Sequence, residues 1–492
     1  MIRVGLARTL AHYRGLAPPF GPGKAFPELA ALLGDAGSAG APNHIYAAVR
    51  AALAGAGLDA ARLGRSDWNP LGDLVRRGGC VVLKPNFIRH WNPCKDASVE
   101  SVITHGSVLR AAADYAFLAV GPEGDVAIAE APQHDCDFGR IRALAGLHAL
   151  VRCYEELGLE LDVIDLRREA VTYRDGVIAE RHGLPGDPAG YRLVDLGARS
   201  YFADSGLDPQ RFRGADYDPG PTSSHHQGGR NEYLLSETVL RADLVVNLPK
   251  LKTHKKTGVT LALKNLVGIN GDKNLLPHHC VGPIDDGGDE FPGRGWSDRA
   301  RSRASEVARW MLTRSIGTSV VRAVRRAENR LRGDTFPRSG NWYGNRTTWR
   351  MVLDLNRCLY YSDARGTRFD AKSPVRRVLS VLDGIVAGEG EGPLAPRDLP
   401  LGVVLASTDP LALDLAAVRL MGYDERRIPK IREAMEASQL RVTEVREPGD
   451  VRVHEVDPIT LRQSEQPVDA ILCERPFAAH SGWKGHVERT PA

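Results

Sequence analysis

Cysteine is scarce: there are 7 in 492 residues, and no two form a CxxC pair. An odd, scattered set excludes a secreted disulfide framework, and it supplies no ligand spacing for an internal ferredoxin-type iron–sulfur cluster. Long apolar runs are missing too. None reaches the ~20 residues needed to cross a bilayer, so no transmembrane insertion is expected. The first residues, MIRVGLARTLAHYRG, carry charge but neither a sustained apolar stretch nor a small-residue cleavage site. A cytoplasmic location is the resulting expectation. Charge of one sign is not in excess: 65 Lys and Arg against 61 Asp and Glu leave +4. That balance does not point to nucleic acid, for which neither a recognised module nor aromatic interleaving is present, so any electrostatic message must be local.

What is present is an ordinary globular composition, 42% hydrophobic and 26% charged. Strand-like GGCVVLKPNF is followed by helical spacing from Val102 to Val120; DVAIAEAP, IRALAGLHALVRCYEELG and LELDVIDL then repeat the pattern. This alternation predicts an α/β fold with a mainly parallel or mixed sheet flanked by helices, interrupted by long insertions. The chain divides into a small helical region at 1–75, a first part of the α/β core at 76–285, an inserted helical and loop region at 286–350, a second core part at 351–430 and a peripheral C-terminal region at 431–492. Within the insertion, VARWMLTRSIGTSVVRAVRRAENRLRG reads as one or two amphipathic helices. Their basic face could touch a membrane or nucleic acid, but a solvated helix face is the preferred assignment. The oligomeric state is left open.

The densest chemistry lies in DLVVNLPKLKTHKKTGVTLALKNLVG. Leu244 to Val246 predict a buried strand that Pro249 ends, and a helix is expected from Thr257, with Thr257 as its cap. KLKTHKK would then be a loop between a strand end and a helix start, where open α/β sheets place their ligands and helix N-termini favour anions. Lys250, Lys252 and Lys264 are candidate anion-binding groups, and His254 can titrate near neutrality. Lys84 and Asn86 follow the strand VVL in the same way. Acidic candidates are more scattered. GEGEGP holds Glu391 and is equally well read as a surface turn; Asp409 before Pro410 is better read as a helix cap than as a ligand; Asp414 could face the same cleft.

Together, KPNF at 84–87, LPKLKTH at 248–254, LKNLVG at 263–268, DGIVAGEGEGP at 383–393 and STDPLALDLAAVRLMG at 407–422 resemble the bacterial and archaeal family named domain of unknown function 362. The resemblance implies an α/β domain from about Gly78 to Gly422. It marks Lys84, Asn86, Lys252, His254, Lys264, Asn265, Asp383, Gly388, Gly390, Gly392, Asp409 and Asp414 as motif positions. Some relatives carry an iron–sulfur module; this chain lacks the cysteine clusters for one.

The leading expectation is a soluble enzyme for a small anionic metabolite, phosphorylated in its sharper version. Lys84, Asn86, Lys250, Lys252, Lys264 and Asn265 would hold the anion, His254 and Lys252 would carry the chemistry, and Asp383, Glu391, Asp409 and Asp414 would hold Mg²⁺ or a related divalent cation. The alternatives are a non-catalytic binder of an anionic metabolite or cofactor, and an oxidoreductase served by an external redox partner.

Overall fold

The computed structural model describes residues 1–293, 295–314, 316–317, 319–323, 339–366 and 373–489. Its centre is one 11-stranded mixed sheet. In chain order the strands are β1 (Ile2–Arg8), β2 (Cys80–Pro85), β3 (Asp125–Glu130), β4 (Leu161–Asp165), β5 (Leu244–Leu248), β6 (Lys250–His254), β7 (Gly258–Val259), β8 (Arg377–Glu391), β9 (Ala395–Ser407), β10 (Val451–Val456) and β11 (Gln463–Pro467). Across the sheet they run β11-β10-β1-β9-β8-β5-β2-β3-β4, with β6 paired to β8 and β7 paired to β6. From β8 to β4 every pairing is parallel.

Both faces of this sheet are covered, which is why β2 and β5 read as continuous apolar runs rather than as alternation. Helices α1 (His44–Gly55) and α2 (Gly106–Val120) pack on one face, against Val81, Leu83, Leu244 and Val246. The other face receives α3 (Leu261–Asn265), α5 (Thr348–Tyr361), α6 (Pro410–Leu420) and α7 (Pro429–Glu436), against Val82 and Val245. A further helix, α4 (Trp296–Thr313), belongs to the insertion. Asn43 starts α1 by accepting from the Ile45 and Tyr46 amides. The alanine-rich α1 lies almost on the backbone of β1: a Cβ on Gly5 would fall 1.9 Å from the Ala52 carbonyl oxygen.

One expectation about the chain's start changes. Residues 1–75 were expected to be helical, yet Ile2–Arg8 is an interior strand, antiparallel to β9 and parallel to β10. The C-terminal region adds β10 and β11 at one edge of the sheet. No helix among the described residues is long and apolar enough to cross a membrane.

Candidate functional site

As expected, β5 ends at Leu248, but the chain stays within the sheet past Pro249. Its missing N–H leaves one donor fewer in the ladder, but its carbonyl still accepts from the Asp383 amide at 2.9 Å. The chain therefore continues alongside β8 as β6, pairing Lys250 with Asp383 and Lys252 with Gly388 around a bulge. KLKTH is thus a buried strand rather than a loop, and Lys250 and Lys252 are 0% exposed. A lysine in such a place requires internal partners.

Lys250 has a full set. Its Nζ lies 3.0 Å from Asp383 Oδ2 and donates to the Tyr13 hydroxyl at 2.8 Å. Tyr13 donates in turn to Asp383 Oδ1 at 2.5 Å, and the His105 and Ile385 amides complete the carboxylate's bonds. The His105 ring stacks on Tyr13, 3.9 Å between centroids. Burial, then the Asp383 charge, hold the Tyr13 phenol well above its ordinary value.

Lys252 is held differently. It donates to Asn86 Oδ1 at 2.7 Å and to the Val102 carbonyl, with no carboxylate in ion-pair range among the described residues. Asn86 passes the chain on to Asn265 at 2.6 Å, and Asn265 donates to Asn247 Oδ1 at 2.7 Å and to the Lys84 carbonyl at 3.2 Å. The three asparagines lock the carboxyl ends of β2 and β5 to α3. Burial, then the Lys250 and Lys264 charges, push the Lys252 ammonium well below its usual range.

On the α3 side, Lys84 is 0% exposed and pairs with Glu130 at 2.6 Å. Gly268 makes room for this pair, since a Cβ there would fall 1.8 Å from Glu130 Oε1. Lys430 donates to the Thr260 carbonyl at 2.6 Å and lies 3.5 Å from Asp414 Oδ2. Lys273 donates to the Ala131 carbonyl at 2.8 Å. Lys264 differs from all of these. Its side chain has no hydrogen-bond or ion-pair partner among the described residues, although burial, then the charges of Lys273, Lys430 and Lys84, bring its ammonium down to about 7. Beside it, His254 Nδ1 accepts from the Lys256 and Thr257 amides at 3.1 and 3.2 Å. That fixes the proton on Nε2, which has no partner either. Burial, then the Lys264 charge, hold His254 well below its usual range, so the ring is neutral at physiological pH. Lys264 and the Nε2–H of His254 therefore offer unused donors in a region with an excess of positive charge, at the carboxyl ends of β2, β3 and β6.

The acidic candidates do not come together with one another. Asp383 belongs to Lys250. Glu391 accepts from His480 at 2.9 Å and from Ser481, while its neighbour Glu389 accepts from Arg475 and the Ala478 amide. GEGEG is thus the end of a paired strand bound to the C-terminal segment, not a surface turn. Asp409 caps α6 through the Leu411 and Ala412 amides and also accepts from Thr443. Asp414 accepts from the Ala262 and Leu263 amides, so the α3 N-terminus expected to hold a ligand anion holds this carboxylate instead. Thr257 is not the cap of α3; its hydroxyl donates to the Val259 carbonyl. Among the described residues, no three His, Cys, Asp or Glu side chains form a metal-holding group.

Tyr13, Glu130, Lys430 and Gly268 were not foreseen as parts of this region. Glu130 had a usable signal, since it closes the strand DVAIAE just as Lys84 closes VVLK. Tyr13 had none, lying between an unrecognised strand and a region expected to be helical.

A mainly parallel α/β sheet with a cluster of lysines at its strand ends is the class the fold defines. The family model described as Domain of unknown function (DUF362) matches residues 162–419, just over half of the chain, and the chain belongs to that family. Lys84, Asn86 and Glu130 precede the matched segment, yet Asn86 bonds directly to Asn265 within it. The chain is also similar to "Thylakoid-associated protein sll1697" of Synechocystis sp., 26% identical over 220 residues, which cover 44% of this chain and 43% of that protein. The chain thus spans less than half the length of this relative. No solved structure matches.

Proposed function

We propose that the crevice around Lys264 and His254 binds a small anion, a phosphate ester or a carboxylate, and that the protein is an enzyme acting on it. The observation that carries this is Lys264, a half-buried cation with no hydrogen-bond or ion-pair partner among the described residues, whose charge acts on a fixed imidazole donor. An ammonium that reaches solvent among other cations is matched well by an anionic ligand. The roles differ from those the residue types suggested. His254 has its Nδ1 occupied and its ring neutral, so it orients and polarises a ligand oxygen through Nε2–H. Lys264, brought to about 7, is the group suited to carrying a proton. Lys252 and the three asparagines position these two from below, and Lys250 with Asp383 braces the strand.

Calorimetric titration with inorganic phosphate and with simple phosphate esters and carboxylates, with and without Mg²⁺, tests binding; product analysis on the same compounds tests turnover. Saturable binding lost in Lys264→Met supports the proposal, and turnover lost in the same variant supports an enzyme. Binding of these anions unchanged in Lys264→Met would refute the site. Stoichiometric retention without turnover would favour a metabolite-binding or delivery protein.

A further inference from the structure

Helix α4 carries apolar side chains on both of its faces. An amphipathic helix of a globular protein normally turns its apolar stripe to the core. In α4 the inward face is largely polar over roughly its first three turns. Asp298 and Ser302 are each 5% exposed, and Ser302 donates to Glu290 at 2.7 Å. Arg309 donates to Glu306 at 2.6 Å, and Glu306 pairs with Arg213. At its C-terminal end Leu312 is buried against Val177 and Val321, with Ala308 and Met311 packed beside it.

The outward face holds the aromatics. Trp296 is 80% exposed, Val307 58% and Trp310 52%. Together with exposed Arg303 and Arg314, these residues recur at steps of seven, four, three and four, which places them on one side of the helix. The Arg314 guanidinium lies 4.6 Å from the Trp310 ring centroid. No carboxylate falls on this stripe. An exposed tryptophan surface is costly in water unless something covers it.

We propose that α4 is a docking face for an anionic lipid surface. Three features select that partner. The aromatics are tryptophans, which settle at the boundary between headgroups and acyl chains. The charges interleaved with them are all positive, matching anionic headgroups. The stripe runs about 27 Å along a straight helix, the geometry of a helix lying in the interface plane rather than crossing it. Docking would hold the protein peripherally, in keeping with a chain whose described helices do not span a bilayer. Of the segment expected to form one or two amphipathic helices, residues 315, 318 and 324–333 lie outside the described residues; in the part within α4, apolar and basic side chains face out together.

The test is co-sedimentation of the full chain with phosphatidylcholine vesicles and with vesicles containing about one third phosphatidylglycerol, with intrinsic tryptophan fluorescence read in parallel. The expected result is partitioning onto the anionic vesicles with a blue shift, weakened by salt. Binding should fall roughly tenfold or more in the double variant Trp296→Ala, Trp310→Ala, and also in Arg303→Glu. These positions are exposed, so circular dichroism should show both variants folded. Three results would overturn the proposal: no partitioning onto either vesicle, equal partitioning of the variants, or a lipid-free self-association that buries the two tryptophans. Salt-sensitive binding to short duplex DNA without any vesicle binding would overturn it in favour of nucleic acid.

Discussion

Lys250 and Lys264 come from the same basic stretch, yet Lys250 is fully buried, Lys264 only half-buried, and they live in opposite circumstances. Lys250 meets a carboxylate, a phenol and a stacked ring, each bonded to the next. Lys264 meets other lysines and a neutral histidine. The difference separates a cation that holds the fold together from one that the fold tolerates. A complete network fixes the place where β6 continues past Pro249. An incomplete one, set at strand ends, is where a ligand's charge would be useful. Lys252 stands between the two, with two hydrogen bonds but no ion-pair partner among the described residues.

Four substitutions break this comparison at different points. Asp383→Ala should have the largest effect, because it strands a buried ammonium and leaves the Tyr13 hydroxyl without its acceptor; a loss of roughly 3–5 kcal/mol is expected from denaturant unfolding. Replacing Lys250 and Asp383 together by Met and Leu should recover most of that loss, which would show that the pair matters through mutual satisfaction. Gly268→Ala is next. Its methyl group would meet Glu130 Oε1, so the Lys84–Glu130 pair must shift, at a cost of about 1–3 kcal/mol in the same assay.

Lys264→Met should act in the other direction, raising stability by up to about 1 kcal/mol without ligand, because a half-buried ammonium among other cations is replaced by an apolar chain of similar length. The pH dependence has a defined sign. The folded-state value of Lys264 lies at about 7, below the ~10.4 of an unfolded lysine. Between these limits the unfolded chain binds more protons, so this residue's contribution makes stability rise with pH over that window. The advantage of Lys264→Met should therefore be greatest below about pH 7 and shrink toward pH 10, and anion binding by the native protein should weaken above about pH 7. His254→Gln should have the smallest effect on stability and a larger one on binding, since a Gln side chain does not reproduce the fixed Nε2–H donor.

The sheet was legible because both of its faces are buried, so VVL and LVVNL stand out as continuous apolar runs and the intervening helices keep their spacing. The β1 strand was missed because IRVGLAR sits beside glycine and alanine segments and looks too small for an interior position, whereas Gly5 is what lets α1 lie against it. The basic stretch was correctly placed at strand ends but given the wrong local structure. Lysine and proline oppose a strand locally. The pairing that overrides them comes from Asp383 and Gly388, far along the chain. The acids were misgrouped for the same reason: a carboxylate's partner can be a helix N-terminus, as for Asp414, or a distant histidine, as for Glu391. Residue type and order do not encode those distances.

The central claim is that Lys264 is kept unpaired for an anion. Unfolding midpoints of the native protein and Lys264→Met, measured near pH 6.5 with and without inorganic phosphate, test it most directly. Phosphate should stabilise the native protein and leave Lys264→Met unmoved, while Lys264→Met should be the more stable of the two in phosphate-free buffer. A variant that is less stable without phosphate, yet gains as much from phosphate as the native protein does, would contradict it.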